Sequence, residues 1–159
     1  MNHLLQDYLE RLEDLHKEVL VSIEGLSAEA LDWTPLRRTS GDMNSINVLV
    51  THLCGAERYW IGEVAGDDPS ERVRTTEFEV RGMSADVLVQ KINTATEYAR
   101  SVLENLDVDD LRNEKTRLRD NRPATAGWAL LHALEHTAIH LGHIQITRQL
   151  WEEQRTNFI

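Results

Sequence analysis

The chain predicts an all-α fold, a four-helix bundle with long interhelical linkers, and three observations carry that reading. Apolar residues recur at helical spacing in four long segments. Two polar linkers, residues 65–83 and 107–124, are long enough for connections that cross the bundle rather than zigzag between neighbours. A length of 159 residues, 41% of them hydrophobic, suffices for one core and is too short for two, so residues 1–159 read as a single domain.

The first helix covers about residues 2–24, with Leu4, Leu5, Tyr8, Leu9, Leu12, Leu15, Val19, Leu20 and Ile23 on its stripe and Gly25 at its end. Ser27 caps a short turn through Leu31, and Trp33, Pro35 and Gly41 mark a loop. Asn44 or Ser45 caps the second long helix, about 46–64, whose stripe of Ile46, Leu49, Leu53, Ala56, Trp60 and Val64 stops at Gly66 and Pro69. The linker beyond has extended character at Phe78 and Val80. Ser84 caps a third helix to about Leu106, marked by Val87, Leu88, Ile92, Ala95, Tyr98 and Val102. The fourth starts after Thr125 and runs to about Glu153, rich in Ala and Leu and free of Pro.

That last helix is apolar nearly all round, because Leu130, Leu131, Leu134, Ala138 and Leu141 lie off the side shared by residues 129, 133, 136, 140, 144 and 147. Such a helix must be covered from two directions, by linkers or by a second copy of the chain, which makes a homodimer one expectation. Trp60, Trp128 and Trp151, at helical positions, are expected in the core.

A formal net charge of -10 repels phosphate backbones and anionic lipid, which disfavours nucleic acid and membranes and leaves small-molecule substrates or proteins as partners. Cys54 is the only cysteine, so no internal disulfide forms. Asp7, Glu10, Arg11, Glu13 and Asp14 among the N-terminal leucines exclude a signal-peptide core or a spanning helix. The expected location is cytoplasmic.

Four of the seven histidines, His132, His136, His140 and His143, fall within twelve residues of the fourth helix. At the chain's own frequency that window holds about half a histidine, and a metal ion is the simplest selector for the excess. Residues four apart on a helix share a face with Cβ atoms about 5 to 6 Å apart, so His136 and His140 can converge on one ion at about 2.0 to 2.1 Å. His52, among Val48, Leu49, Gly55, Ala56 and Tyr59 on the inward stripe of the second helix, supplies a third imidazole. Three neutral imidazoles suit Zn²⁺, Ni²⁺ or a similar divalent ion and leave a coordination position open for chemistry.

Asn44-Ser45-Ile46 followed by His52, then Glu57 and Trp60, together with His136-x-x-x-His140-x-Gly142 and Arg148 beyond, resembles the DinB-like metal-binding four-helix bundles. Trp33 and Pro35 match the loop before that family's second helix. The family includes bacillithiol- and mycothiol-dependent S-transferases and a mycothiol-dependent maleylpyruvate isomerase. The resemblance implies His52, His136 and His140 as the metal ligands and a low-molecular-weight thiol as cosubstrate. Position 143, often Gln in the family, is His here, so His143 is open to a role beside the metal, toward substrate or as an extra ligand.

Other readings compete. His132-Ala133-Leu134-Glu135-His136 matches the H-x-x-E-H pattern of one metalloprotease class, but leaves His52 and His140 unexplained. A di-iron carboxylate site needs two E-x-x-H motifs, and only Glu13-x-x-His16 fits. His3 and His16 need no functional explanation on this reading. Cys54 lies two residues from His52, on the far side of its helix, and reads as a packed small side chain. Glu57, His132 and His143 are the candidates for a general base. Arg112, Lys115, Arg117, Arg119 and Arg122 make the second linker basic, either as a solvated loop or as a receiver for the carboxylates of an anionic thiol. Three functions follow: a metal-dependent thiol transferase or isomerase, a metal-dependent hydrolase, or a non-catalytic metal- or ligand-binding bundle.

Overall fold

The computed structural model describes residues 1–35, 43–117 and 121–156; Gly41 and Arg119 lie outside them. Four long helices form the bundle: α1 (His3–Ile23), α3 (Ile46–Glu57), α4 (Ala85–Glu104) and α5 (Ala126–Thr156), with a short α2 (Ala28–Asp32) after the first. Their starts follow from side-chain caps. Asn2, Ser27, Ser45 and Ser84 accept from the backbone N–H groups of Leu4, Ala30, Val48 and Val87, which satisfies donors that have no partner inside the helix. At the other end of α1, Arg148 donates to the carbonyls of Val21 (3.0 Å) and Ser22 (3.1 Å), tying α5 to the last turn of α1.

Around the bundle, α1 packs on α4 and α5, and α3 packs on the same two. Helices α1 and α3 are therefore diagonal to each other, as are α4 and α5. Two of the three connections between consecutive long helices cross the bundle, α1 to α3 and α4 to α5; the linker at 107–124 therefore crosses as expected, whereas the one at 65–83 joins the neighbours α3 and α4. Beyond Glu57, α3 continues through Arg58–Ala65 in π-helical geometry. The first linker holds a 3₁₀ turn over Arg74–Phe78, where extended character was expected at Phe78 and Val80. The second holds a 3₁₀ turn at Val108–Arg112 and a hairpin, β1 (Glu114–Thr116) against β2 (Pro123–Thr125), with Lys115 opposite Ala124. Strands of three residues are too short for an alternating pattern to announce them.

The core has two apolar halves. One is built on Leu5, Leu9 and Leu12 of α1 with Trp60, Ala99, Leu103 and Ala133. The other uses Val19 and Ile23 with Leu53, Leu88, Ile92, Leu141 and Ile144. Between them lies one polar layer, to which each long helix contributes a residue: His16, Glu57, Thr96 and Thr137. His16 Nε2 meets both oxygens of Glu57, at 2.9 and 3.0 Å, across the α1/α3 diagonal. The Thr137 hydroxyl donates to Glu57 Oε1 (2.7 Å). Because the Thr96 hydroxyl donates to the Ile92 carbonyl (2.9 Å), its oxygen accepts from His16 Nδ1–H (2.7 Å). Both partners of the contact are buried. His16 is thus a structural centre rather than an incidental match to E-x-x-H.

Trp60 and Trp151 are buried, but Trp128 is 44% exposed, contrary to its expected core position. Leu131, Ile139 and Ile146 of α5 are 67%, 52% and 50% exposed, so the described residues leave that side of α5 uncovered. No helix among the described residues is long and apolar enough to cross a membrane.

Replacing Glu57 by Ala strands His16 in the core, and the expected cost is about 3 to 5 kcal/mol of unfolding free energy, measured by urea denaturation. Glu57→Gln keeps a hydrogen-bonding partner and costs less; equal losses would argue against a stabilising hydrogen bond between the pair.

Candidate metal centre

Since α3 and α5 are neighbours, a residue on the inward stripe of one can face a pair on the other. His52 of α3 does so with His136 and His140, which occupy successive turns of α5. One nitrogen from each of the three lies within 4.8 Å of those of the other two, the only such group of potential ligands among the described residues. The ring centroid of His52 is 5.1 Å from that of His136 and 5.2 Å from that of His140. The Nε2 atoms of His136 and His140 are 3.1 Å apart. Two ligands bound to a tetrahedral ion are about 3.3 Å from each other, so the pair is already at coordinating separation.

His52 is held from behind. Its Nδ1 lies 2.7 Å from Glu77 Oε2, and Glu77 in turn receives Arg72 through Nε on Oε1 (2.5 Å) and Nη2 on Oε2 (2.9 Å). Glu77 sits in the 3₁₀ turn of the first linker, which folds back onto α3. Gly55 makes that approach possible, because a Cβ there would come within 2.2 Å of Glu77 Oε1. The Phe78 ring packs on His52 at 4.9 Å. Burial pushes the Glu77 carboxyl up, but the hydrogen bonds from His52 and Arg72 and the charge of Arg72 outweigh it and leave it below the usual carboxylate value. An ionised Glu77 favours the Nδ1–H tautomer of His52 and leaves its Nε2 lone pair facing the other two rings.

Burial, followed by the neighbouring His140 and His52, depresses His136 to about 3. Burial and then His52 and His143 depress His140 to about 4. Both rings are therefore neutral near pH 7, the form that coordinates metal. Their Nδ1 atoms are buried without a hydrogen-bond partner. Uncharged imidazoles turned toward one another, with more buried nitrogen than partners, fit a divalent ion well.

The other sequence candidates fall elsewhere. Glu57, expected either at the surface or beside the metal, is buried and committed to His16 and Thr137. His132 stacks on Trp128 at 5.0 Å and stands edge-on to Trp60 at 4.6 Å; its ring is 6.1 Å from that of His136. It stands outside the three-histidine group, so the H-x-x-E-H pair does not converge. His143 is exposed, its ring 5.5 Å from that of His140. In the basic linker Lys115 is paired with Asp67, and the Arg117 guanidinium lies over the rings of Trp60 (5.9 Å) and Trp128 (5.4 Å). Sequence reasoning missed Glu77 and Arg72, which occupy a segment with no periodicity to place them.

A model of the mycothiol-S-transferase family matches residues 5–153. The chain belongs to that family. Its members share the DinB-like, metal-binding four-helix bundle, as the histidine pattern implied. Among solved structures the chain is similar to YfiT from Bacillus subtilis, described as a probable metal-dependent hydrolase with an unusual four-helix bundle topology, at 13% identity and TM-score 0.70, covering 94% of this chain and 88% of that one. A conserved protein from Enterococcus faecalis is similar at 17% identity and TM-score 0.68, with 91% and 95% covered. One from Streptococcus pneumoniae follows at 12% and 0.64, with 94% and 90% covered. At such identities the likeness is one of fold. A comparison with curated proteins returned no match. The protein is thus a helical bundle of a metal-binding family, with a three-histidine cluster able to hold a divalent ion.

The depressed histidines set a pH dependence for the metal-free protein. In the unfolded chain each imidazole binds a proton below about 6.5, whereas in the fold His136 and His140 resist protonation until about 3 and 4. Their contribution is complete above pH 6.5 and lost as pH falls toward 4. Thermal unfolding with chelator present is expected to show that decline, and His136→Ala or His140→Ala to flatten it.

Proposed function

We propose that the protein is a metal-dependent thiol transferase in which His52, His136 and His140 hold one divalent ion, Zn²⁺, Ni²⁺ or a similar metal. The observation that carries this is the convergence of three imidazole nitrogens from α3 and α5, one of them oriented by a buried carboxylate, in a chain matching the mycothiol-S-transferase family along most of its length. Bound there, a divalent ion supplies positive charge that favours the deprotonated form of a thiol or water at an open coordination position.

The remaining work falls to the chain's own side chains. Glu77 orients His52 and balances part of the charge introduced by the ion. Arg72 keeps Glu77 ionised. His143 and His132 flank the pair toward either end of α5, positions from which an imidazole can take up or release a proton near the reacting atoms. Glu57 is excluded from that role because its oxygens are occupied in the core. A metal-dependent hydrolase is the second reading, favoured by the description of YfiT and by an ion site that would serve water as well as a thiol.

Elemental analysis is expected to find one divalent ion per chain, lost in His52→Ala, His136→Ala and His140→Ala and retained in His132→Ala. Metal loss in His132→Ala alone would overturn the ligand set. With metal loaded, consumption of mycothiol or bacillithiol on an electrophilic acceptor supports the transferase; turnover of an activated ester with no thiol supports the hydrolase. Neither, together with a large fall in melting temperature on chelation, would mark a purely structural ion.

Glu77→Ala is expected to weaken metal binding about 10- to 100-fold, measured by chelator competition, with little change in helical content. Gly55→Ala should act in the same direction by displacing the carboxylate without removing it.

A further inference from the structure

A groove of about 640 Å³ runs between α3 and α4, on the side of α3 turned away from α5, and none of the three clustered histidines lines it. It exists because small side chains face each other there: Cys54 and Gly55 on α3 oppose Thr94, Ala95 and Ala99 on α4. Val87 adds exposed apolar wall, and Ile61 and Ala99 lie buried beneath the floor. Its exposed surface is mostly apolar although polar side chains such as Thr51, Gln90 and Lys91 edge it, and a concavity of several hundred Å³ is of the size that small-molecule sites have.

The charged groups around the groove determine what it would take. Arg58 is paired with Asp68 at 3.0 Å. The Glu77 carboxylate, which reaches the groove floor past Gly55, is neutralised by Arg72. The Glu57 oxygens are turned into the core, where His16 and Thr137 occupy them. Lys91 is left: it lines the groove, is half-buried, and has no acidic side chain within salt-bridge distance among the described residues. Its charge is felt by the neighbouring Cys54 thiol. Lys91 is thus a groove-lining cation without an ion-pair partner among the described residues, beside an apolar trough.

We propose that this groove is a second binding site, separate from the metal centre, for a small amphipathic monocarboxylate whose acid group pairs with Lys91 and whose apolar body lies along Cys54, Val87 and Ala95. The volume suits a body on the order of ten carbons. A partly desolvated ammonium beside apolar wall prefers a carboxylate that brings its own apolar tail, since both ends then gain from leaving water. A cationic or dianionic ligand of the same length lacks that match.

Isothermal titration of the purified protein with decanoate, kept below its micellar concentration, tests the site. Saturable one-to-one binding is expected. It should weaken at least tenfold in Lys91→Met, which keeps the apolar stem, disappear in Ala95→Phe, which fills the groove, and persist in His136→Ala. Each variant is first checked for an unchanged circular dichroism spectrum, and Lys91→Met decides the matter if Ala95→Phe does not fold. Decyltrimethylammonium binding as tightly as decanoate, equal affinity in Lys91→Met, or loss of binding in His136→Ala would overturn the proposal. So would the absence of saturable heat at millimolar decanoate. None of these readouts depends on the reaction at the metal centre.

Discussion

The contact between His16 and Glu57, reinforced by Thr96 and Thr137, is the constraint on which the rest of the structure depends. Apolar packing is non-directional, and either half of the core could tolerate a helix sliding or rotating by part of a turn. A buried hydrogen-bonded pair cannot tolerate that without stranding a polar group, so it selects one register from many. In this bundle it crosses the α1/α3 diagonal and draws α4 and α5 in through their threonines. Thr137 immediately follows His136, and Glu57 lies five residues beyond His52. The layer that registers the helices therefore also decides how the α3 and α5 imidazoles meet.

The remaining precision comes from a connection rather than a helix. His52 could adopt either tautomer if only apolar atoms surrounded it. Glu77, carried inward by the first linker and secured by Arg72, removes that freedom. His136 and His140 have no equivalent support among the described residues, and their orientation rests on packing and on each other. One ligand is thus held by directed hydrogen bonds and two by shape.

Legibility in the sequence follows the range of the forces involved. Helix starts were readable because Ser27, Ser45 and Ser84 act on backbone groups three residues away. The α5 pair was readable because a spacing of four on a helix is a geometric statement in itself, and His52 because the apolar stripe around it points inward. The His16 and Glu57 partnership was not, since 41 residues separate them and only the diagonal topology brings them together. Glu77 was hidden in a linker without periodicity, and Trp128 was placed in the core from a helical position that says nothing about which neighbours exist to cover it. Local chemistry showed through; pairings made by the tertiary arrangement did not.

The π-helical stretch at Arg58–Ala65 sets the phase between the two ends of its helix. Each residue advances an α-helix by about 100°, so a wider turn absorbs an extra position without disturbing what comes before it. The consecutive Tyr59, Trp60 and Ile61 are all buried within it. The stretch is therefore a length-sensitive joint. Loss of a single codon within it would rewind the turn and swing everything beyond it, including the linker that carries Glu77 to His52, out of phase with the histidine end while leaving all three imidazoles in the chain.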